Sequence, residues 1–208
     1  MEDKDKLKWI YSSKDNLELS AHYDQWAKSY DTDLIQDYGW KAPQVATDFV
    51  KKYVPKDSKI LDVGAGTGLV GQCLHQEGYR DLVGIDLSEM MLEEARNKKV
   101  YRELYKMVLG ETLFFSDGIF DAAICVGIFT FGHAPASSLD ELVRITKPKG
   151  HIIFLHRSDA NVALGFKEKQ VELETAGRWN LVEARDSLMA YSKKESDLPH
   201  QVWVYQVT

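Results

Sequence analysis

Cysteine is scarce in this chain of 208 residues: only Cys73 and Cys125 are present, far apart and without partners at metal-ligand spacing. A disulfide framework and a cysteine-ligated metal centre are thereby excluded, and two reduced, buried thiols are expected. Long apolar runs are missing as well. Nothing approaches the ~18 consecutive apolar residues of a membrane span. The opening MEDKDKLKWIY lacks the apolar stretch of a secretory leader. Positive charge is not in excess, since 26 Lys and Arg face 32 Asp and Glu for a formal net charge of −6. That balance argues against a broad nucleic-acid footprint, although it leaves room for a local basic groove. Neither repeats nor low-complexity segments occur. What remains is 44% hydrophobic and 28% charged, the mix of a soluble globular protein, and a cytoplasmic location is expected.

The length suits one domain. Tyr23 to about Tyr53 reads as helical, with Tyr23, Trp26, Ala27 and Tyr30 recurring at i, i+3, i+4, i+7. Gly39 and Pro43 interrupt it before a second stripe from Ala42 to Tyr53. From Lys59 onward, apolar runs of strand length alternate with helical patterns: KILDVG, Leu69 to Glu77, LVGID, Ser88 to Asn97, YKMVL, FDAAICVGI, SLDELVRIT and GHIIFLH. Such runs separated by helices predict a parallel sheet covered on both faces. Lys147 to Gly150 is expected to form a turn, and Asn161 to Ala176 a helix stopped by Gly177. WNLVEARDSL and HQVWVYQV follow with only the charged YSKKESDLPH between them, which predicts a hairpin and one reversed strand at a sheet edge.

ILDVGAGTGLVG, Ile60 to Gly71, joins a strand to a helix through Gly64, Gly66 and Gly68. Missing side chains there let a ligand approach the main chain at the carboxyl edge of the strand. A dinucleotide fingerprint would place its third glycine at position 69, where Leu69 stands. Asp86 closes the next strand, about 20 residues on, where a carboxylate can accept from ribose hydroxyls. Asp62 adds negative charge that would repel a pyrophosphate and favour a cationic sulfonium nucleoside. A nucleoside site follows from this pairing.

ILDVGAGTG with GIDLSEMMLEEAR resembles the first two motifs of class I S-adenosylmethionine-dependent methyltransferases. FFSDGIFDAAICVGIF and ELVRITKPKGHIIF resemble the fourth- and fifth-strand segments, and YDQWAKSYDTDL an N-terminal lid. Within that class, the lid, VGID and VRITKPKG are similar to the methyltransferase-like proteins of the Williams–Beuren syndrome chromosomal region. The resemblance implies an α/β Rossmann-like fold. Its doubly wound, mostly parallel seven-stranded sheet has the order 3-2-1-4-5-7-6, with strand 7 antiparallel. Residues 1–57 would supply N-terminal helices and lid, and 58–208 the core.

The resemblance also implies S-adenosyl-L-methionine as cofactor and S-adenosyl-L-homocysteine as product. Asp62, Gly64, Ala65 and Gly66 would surround the methionine moiety, and Asp86 would hold the ribose. Leu87 and Met91 would pack on adenine, Val126 would contact the cofactor, and Tyr23, Trp26 and Tyr30 would cover it. Many members carry an adenine-binding aspartate after the third strand; here that position is Leu109, followed by Gly110 and Glu111. Adenine is then expected to be read by the backbone around Leu109 and Gly110, or by Glu111.

Methyl transfer needs mainly orientation and exclusion of water. CVGIFTFGHAP lacks the Asn/Asp-Pro-Pro-aromatic signature of amide- and nucleobase-amine methylating relatives, and its phenylalanines suggest an apolar acceptor pocket. His133 and His156, each near a strand carboxyl end, are the candidate general bases. The expected partner is a small-molecule acceptor, with no nucleic acid and no membrane, and oligomeric state is left open. The competing readings are a protein-directed or partner-dependent methyltransferase, a non-catalytic cofactor-binding module, and a nicotinamide-dependent oxidoreductase.

Overall fold

A computed structural model describes residues 6–188, 192–193 and 200–208. Seven strands form one sheet: β1 (Lys59–Val63), β2 (Asp81–Asp86), β3 (Glu103–Lys106), β4 (Phe120–Phe129), β5 (Thr146–Arg157), β6 (Trp179–Leu188) and β7 (His200–Val207). Their order is β3-β2-β1-β4-β5-β7-β6. The first five pair in parallel, while β7 runs antiparallel to both β5 and β6. The order and the reversed strand are those the resemblance implies. The reversed strand is not at the edge, however. β7 inserts between β5 and β6, because the helical crossover carries β6 past the open slot that the hairpin return then fills.

Nine helical segments flank the sheet in the described residues: α1 (Lys6–Tyr11), α2 (Asn16–Thr32), a π-helical turn (Asp33–Tyr38), α3 (Ala42–Tyr53), α4 (Leu69–Gln76), α5 (Glu89–Lys98), α6 (Ser138–Ile145), α7 (Ser158–Ala163) and α8 (Phe166–Thr175). Alternate strand residues feed two cores, which explains the unbroken apolar runs. Ile60, Ile124, Val126 and Ile153 pack beneath α2 and α3 with Leu19, Trp26 and Ala46. Leu61, Val63, Ala123 and Phe154 pack on the other face with Leu139, Leu142 and Phe166.

Three local expectations shift. The helix expected over Asn161 to Ala176 is two helices, split at Leu164 and Gly165; glycine is a poor helix former in the middle of such a segment. The third strand ends at Lys106, so Met107 to Leu109 leave the sheet. The expected turn at Lys147 to Gly150 is absorbed into β5 as an irregularity opposite β4, with Lys149 at φ 67°. Most of the YSKKESDLPH connection lies outside the described residues.

Candidate cofactor and acceptor site

Two adjoining cavities open at the carboxyl ends of β1, β2 and β4, beneath α2. One, of about 390 Å³, is lined by Tyr23, Tyr30, Gly64, Gly66, Asp86, Leu87, Met91, Val126, Gly127, Ile128 and His133. The other, of about 420 Å³, shares Gly64, Asp86, Leu87, Ile128 and His133 with it and extends to Asn16, Leu19, Met107, Val108, Leu109 and Ala134.

The floor is the turn after β1. Gly64 N and Ala65 N both donate to Ile85 O at 2.9 Å, which folds the turn over the end of β2. Gly64 (φ 70°) and Gly66 (φ 53°) both lie in the left-handed region. A Cβ on Gly64 would stand 2.1 Å from Ile128 Cγ2, whereas one on Gly66 would meet nothing within 4 Å. The first glycine is thus required by close packing; the second keeps open space beside Asp86.

Asp86 is buried at the rim. Its Oδ2 accepts from Gly66 N at 2.8 Å and its Oδ1 from Ser88 N at 2.9 Å. Burial pushes its carboxyl up to about 6; the bonds from Ser88, Gly66 and Leu87 oppose that rise, and the charge of Asp24 adds to it. These backbone bonds leave the carboxylate with lone-pair capacity for a ligand hydroxyl. Burial, reinforced by the charge of Asp86, likewise raises the Tyr30 phenol.

The lid is pinned to this floor at both ends. At the second turn of α2, Ser20 Oγ donates to Leu87 O at 3.0 Å. Asp24 accepts from Ser88 Oγ at 2.5 Å and from Met90 N at 3.1 Å, so a lid carboxylate helps cap α5. Asp31 accepts from Thr67 Oγ1 and pairs with Lys98 Nζ at 2.7 Å, and Lys98 also donates to Thr67 O.

The third wall is the loop after β4. His133 Nδ1 lies 2.8 Å from Phe131 O and its Nε2 lies 2.7 Å from Tyr23 Oη. A carbonyl only accepts, so Nδ1 carries the hydrogen; in the neutral ring Nε2 is then an acceptor, and the Tyr23 hydroxyl donates to it. Burial lowers the pKa of His133, which keeps the imidazole neutral at pH 7; the bond to Phe131 O opposes that shift.

Nine of the sixteen expected site residues line the first cavity: Tyr23, Tyr30, Gly64, Gly66, Asp86, Leu87, Met91, Val126 and His133. Leu109 lines the second. Six line neither. Asp62 is 1% exposed and turned into the protein, where Tyr101 Oη donates to its Oδ2 at 2.5 Å and Oδ1 has no hydrogen-bond partner among the described residues. Burial lifts its pKa to about 7, against the bond from Tyr101. The charge expected beside the cofactor's methionine is therefore sealed below the site. Ala65 is buried under the turn. Trp26 points into the core and donates from Nε1 to Asp33 at 2.6 Å. Gly110 packs toward Pro135, and Glu111 is exposed away from the cavities.

His156 is also displaced from its expected role. It is 2% exposed among Phe154, Phe166 and Trp203, with neither ring nitrogen hydrogen-bonded among the described residues. Burial, aided by His200, depresses it to about 4. Strand alternation puts it on the face of Phe154, under α8. Asn16, Leu19, Met107, Val108 and Ile128 were not anticipated as lining residues.

A doubly wound sheet with a glycine turn, a rim carboxylate and a covering helix defines a nucleoside-binding α/β protein. A methyltransferase-domain family matches residues 61–154. Human methyltransferase-like protein 27 is 36% identical over 165 residues, covering 76% of this chain and 66% of that protein. Demethylmenaquinone methyltransferase of Clavibacter sepedonicus is 33% identical over 160 residues, covering 73% and 63%. Bovine 18S rRNA (guanine-N(7))-methyltransferase is 40% identical over 75 residues, covering 35% and 26%. The chain thus spans about two thirds or less of these relatives. Among solved structures, a TehB-like S-adenosylmethionine-dependent methyltransferase from Corynebacterium glutamicum superposes with a TM-score of 0.66 at 19% identity, over 90% of this chain and 99% of the other. The chain belongs to the class I S-adenosylmethionine-dependent methyltransferases.

Proposed function

We propose that this chain binds S-adenosylmethionine in the paired cavities and transfers its methyl group to a small, largely apolar acceptor. The observation that carries the reading is the rim itself: a buried carboxylate at the end of β2 faces open space kept by Gly66. The residues present fit the cofactor. Asp86 would take the ribose hydroxyls, Leu87, Met107 and Leu109 would flank the adenine, and Gly64 and Gly66 would let the methionine portion lie along the turn. The bound cofactor supplies a methyl group already activated on a sulfonium sulfur.

The chain's own groups then position the acceptor and take up its proton. Tyr23, Tyr30 and Ile128 present aromatic and aliphatic walls that exclude water. An acceptor hydroxyl loses its proton to His133 Nε2, directly or through the Tyr23 hydroxyl bonded to it, as its oxygen gains the methyl. The imidazole is suited to this because it starts neutral with Nδ1 anchored.

A small acceptor is favoured over RNA by extent: the rRNA-methylating relative aligns over 75 residues, the menaquinone one over 160. Incubating the protein with a fractionated metabolite extract and a methyl-labelled donor tests the reading. Label in an organic-soluble small molecule supports it. Label in RNA or protein would redirect it, and cofactor binding without any acceptor would favour a non-catalytic module.

A further inference from the structure

We infer that Asn16, on the lid, reads the base of the cofactor, taking the place of the aspartate that Leu109 replaces. The inference rests on the cofactor reading above and adds a residue to it. The second cavity has apolar walls from Leu19, Leu87, Met107 and Leu109, and its polar side chains are Asn16, Asp86 and His133. Asp86 is committed to the ribose hydroxyls in the cofactor reading, and His133 is bonded at both ring nitrogens, to Phe131 O and Tyr23 Oη. Asn16 is the remaining polar residue that lines this largely apolar slot, and it is neutral.

Its chemistry matches adenine. An amide offers one acceptor and one donor side by side, and the adenine amino group next to a ring nitrogen offers the complement. A carboxylate could accept from the amino group but could not donate to the ring nitrogen. The position is also held in advance. Asp15 Oδ1 accepts from Glu18 N at 2.8 Å while Glu18 Oε2 accepts from Lys14 N at 2.9 Å, a reciprocal cap around the start of α2. One turn on, Ser20 ties the helix to the backbone oxygen of Leu87, a residue that lines the slot. Reading the base from the lid makes recognition of the nucleoside and docking of α2 a single event.

Titration calorimetry with S-adenosylhomocysteine and with its analogue lacking the 6-amino group tests this on the full chain and on Asn16→Ala. Asn16 is exposed, and alanine is tolerated at a first helical position, so equal melting temperatures are expected for the two proteins. The parent should bind the amino compound about tenfold more tightly than the analogue, in line with a bidentate amide–adenine contact. N16A should lose about tenfold for the amino compound and under twofold for the analogue. Unchanged affinity and discrimination in N16A would overturn the inference while leaving the cofactor reading intact. Failure of the parent to bind either compound would overturn both.

Discussion

Gly64 and Gly66 separate what the fold requires from what the ligand requires. Both sit at positive φ, 70° and 53°, so alanine at either position carries about 1–2 kcal/mol of backbone strain. At Gly64 a further cost arises, because the new methyl would stand 2.1 Å from Ile128 Cγ2. That carbon is attached to a β-branched Cβ with little rotational freedom. Overpacking of this kind costs about 1–3 kcal/mol. Gly64→Ala therefore loses about 2–5 kcal/mol, or about 4–20 °C in melting temperature for a chain this long. Gly66→Ala has no atom within 4 Å to collide with and loses only the strain, about 2–8 °C. Its methyl enters the cavity instead and should weaken S-adenosylhomocysteine binding about tenfold or more. Scanning calorimetry of both variants, with and without that ligand, measures the two effects. G66A binding like the parent, or G64A melting with it, would refute the reasoning.

Tyr23→Phe removes the bond to His133 and should cost about 1 kcal/mol, with faster amide exchange across Asn16–Thr32; unaltered exchange would show that the lid is held elsewhere. Asp62 and Asp86 are raised from 3.8 to about 7 and about 6. The folded chain accordingly holds more protons than the unfolded one between about pH 4 and 7, and their contribution to stability falls as pH rises through that window. Asp62→Asn should gain on the parent by about 2–4 kcal/mol between pH 4.5 and 8 in denaturant titrations; a gap that stays constant with pH would contradict this. His156→Leu relieves two buried ring nitrogens that have no hydrogen-bond partner among the described residues, so stability at pH 7 should hold or rise by about 1 kcal/mol with ligand affinity unchanged. A loss of affinity in that variant would return His156 to the site.

The residues readable in advance are those fixed by short-range patterns. A strand, a glycine turn and a carboxylate about 20 residues on place Gly64, Gly66 and Asp86 together wherever a βαβ unit forms. The placements outside the cavities have geometric causes. Tyr23 and Tyr30, seven residues apart, differ by only about 20° around a helix, whereas Trp26 is about 60° off that line and turns into the core. Asp62 follows strand alternation, sharing the face of Ile60 and pointing at Tyr101, a contact 39 residues distant that no local pattern reveals. His156 was placed by its strand end alone, and the face it occupies depends on α8 packing there. Asn16 lay outside the helix expected from Tyr23 onward. Its signal was the D-x-x-E of Asp15 and Glu18, a helix-start pattern ahead of Leu19.

The central claim is that the rim formed by Gly66 and Asp86 takes a sulfur nucleoside. Calorimetric titration of the parent and of Asp86→Ala with S-adenosylmethionine, S-adenosylhomocysteine and NAD tests it most directly. The account predicts one-site binding of both sulfur nucleosides by the parent, none of NAD, and a loss of about 100-fold in D86A as two charge-assisted ribose bonds disappear. Binding of NAD alone, or sulfur-nucleoside affinity that survives removal of the Asp86 carboxylate, would contradict it.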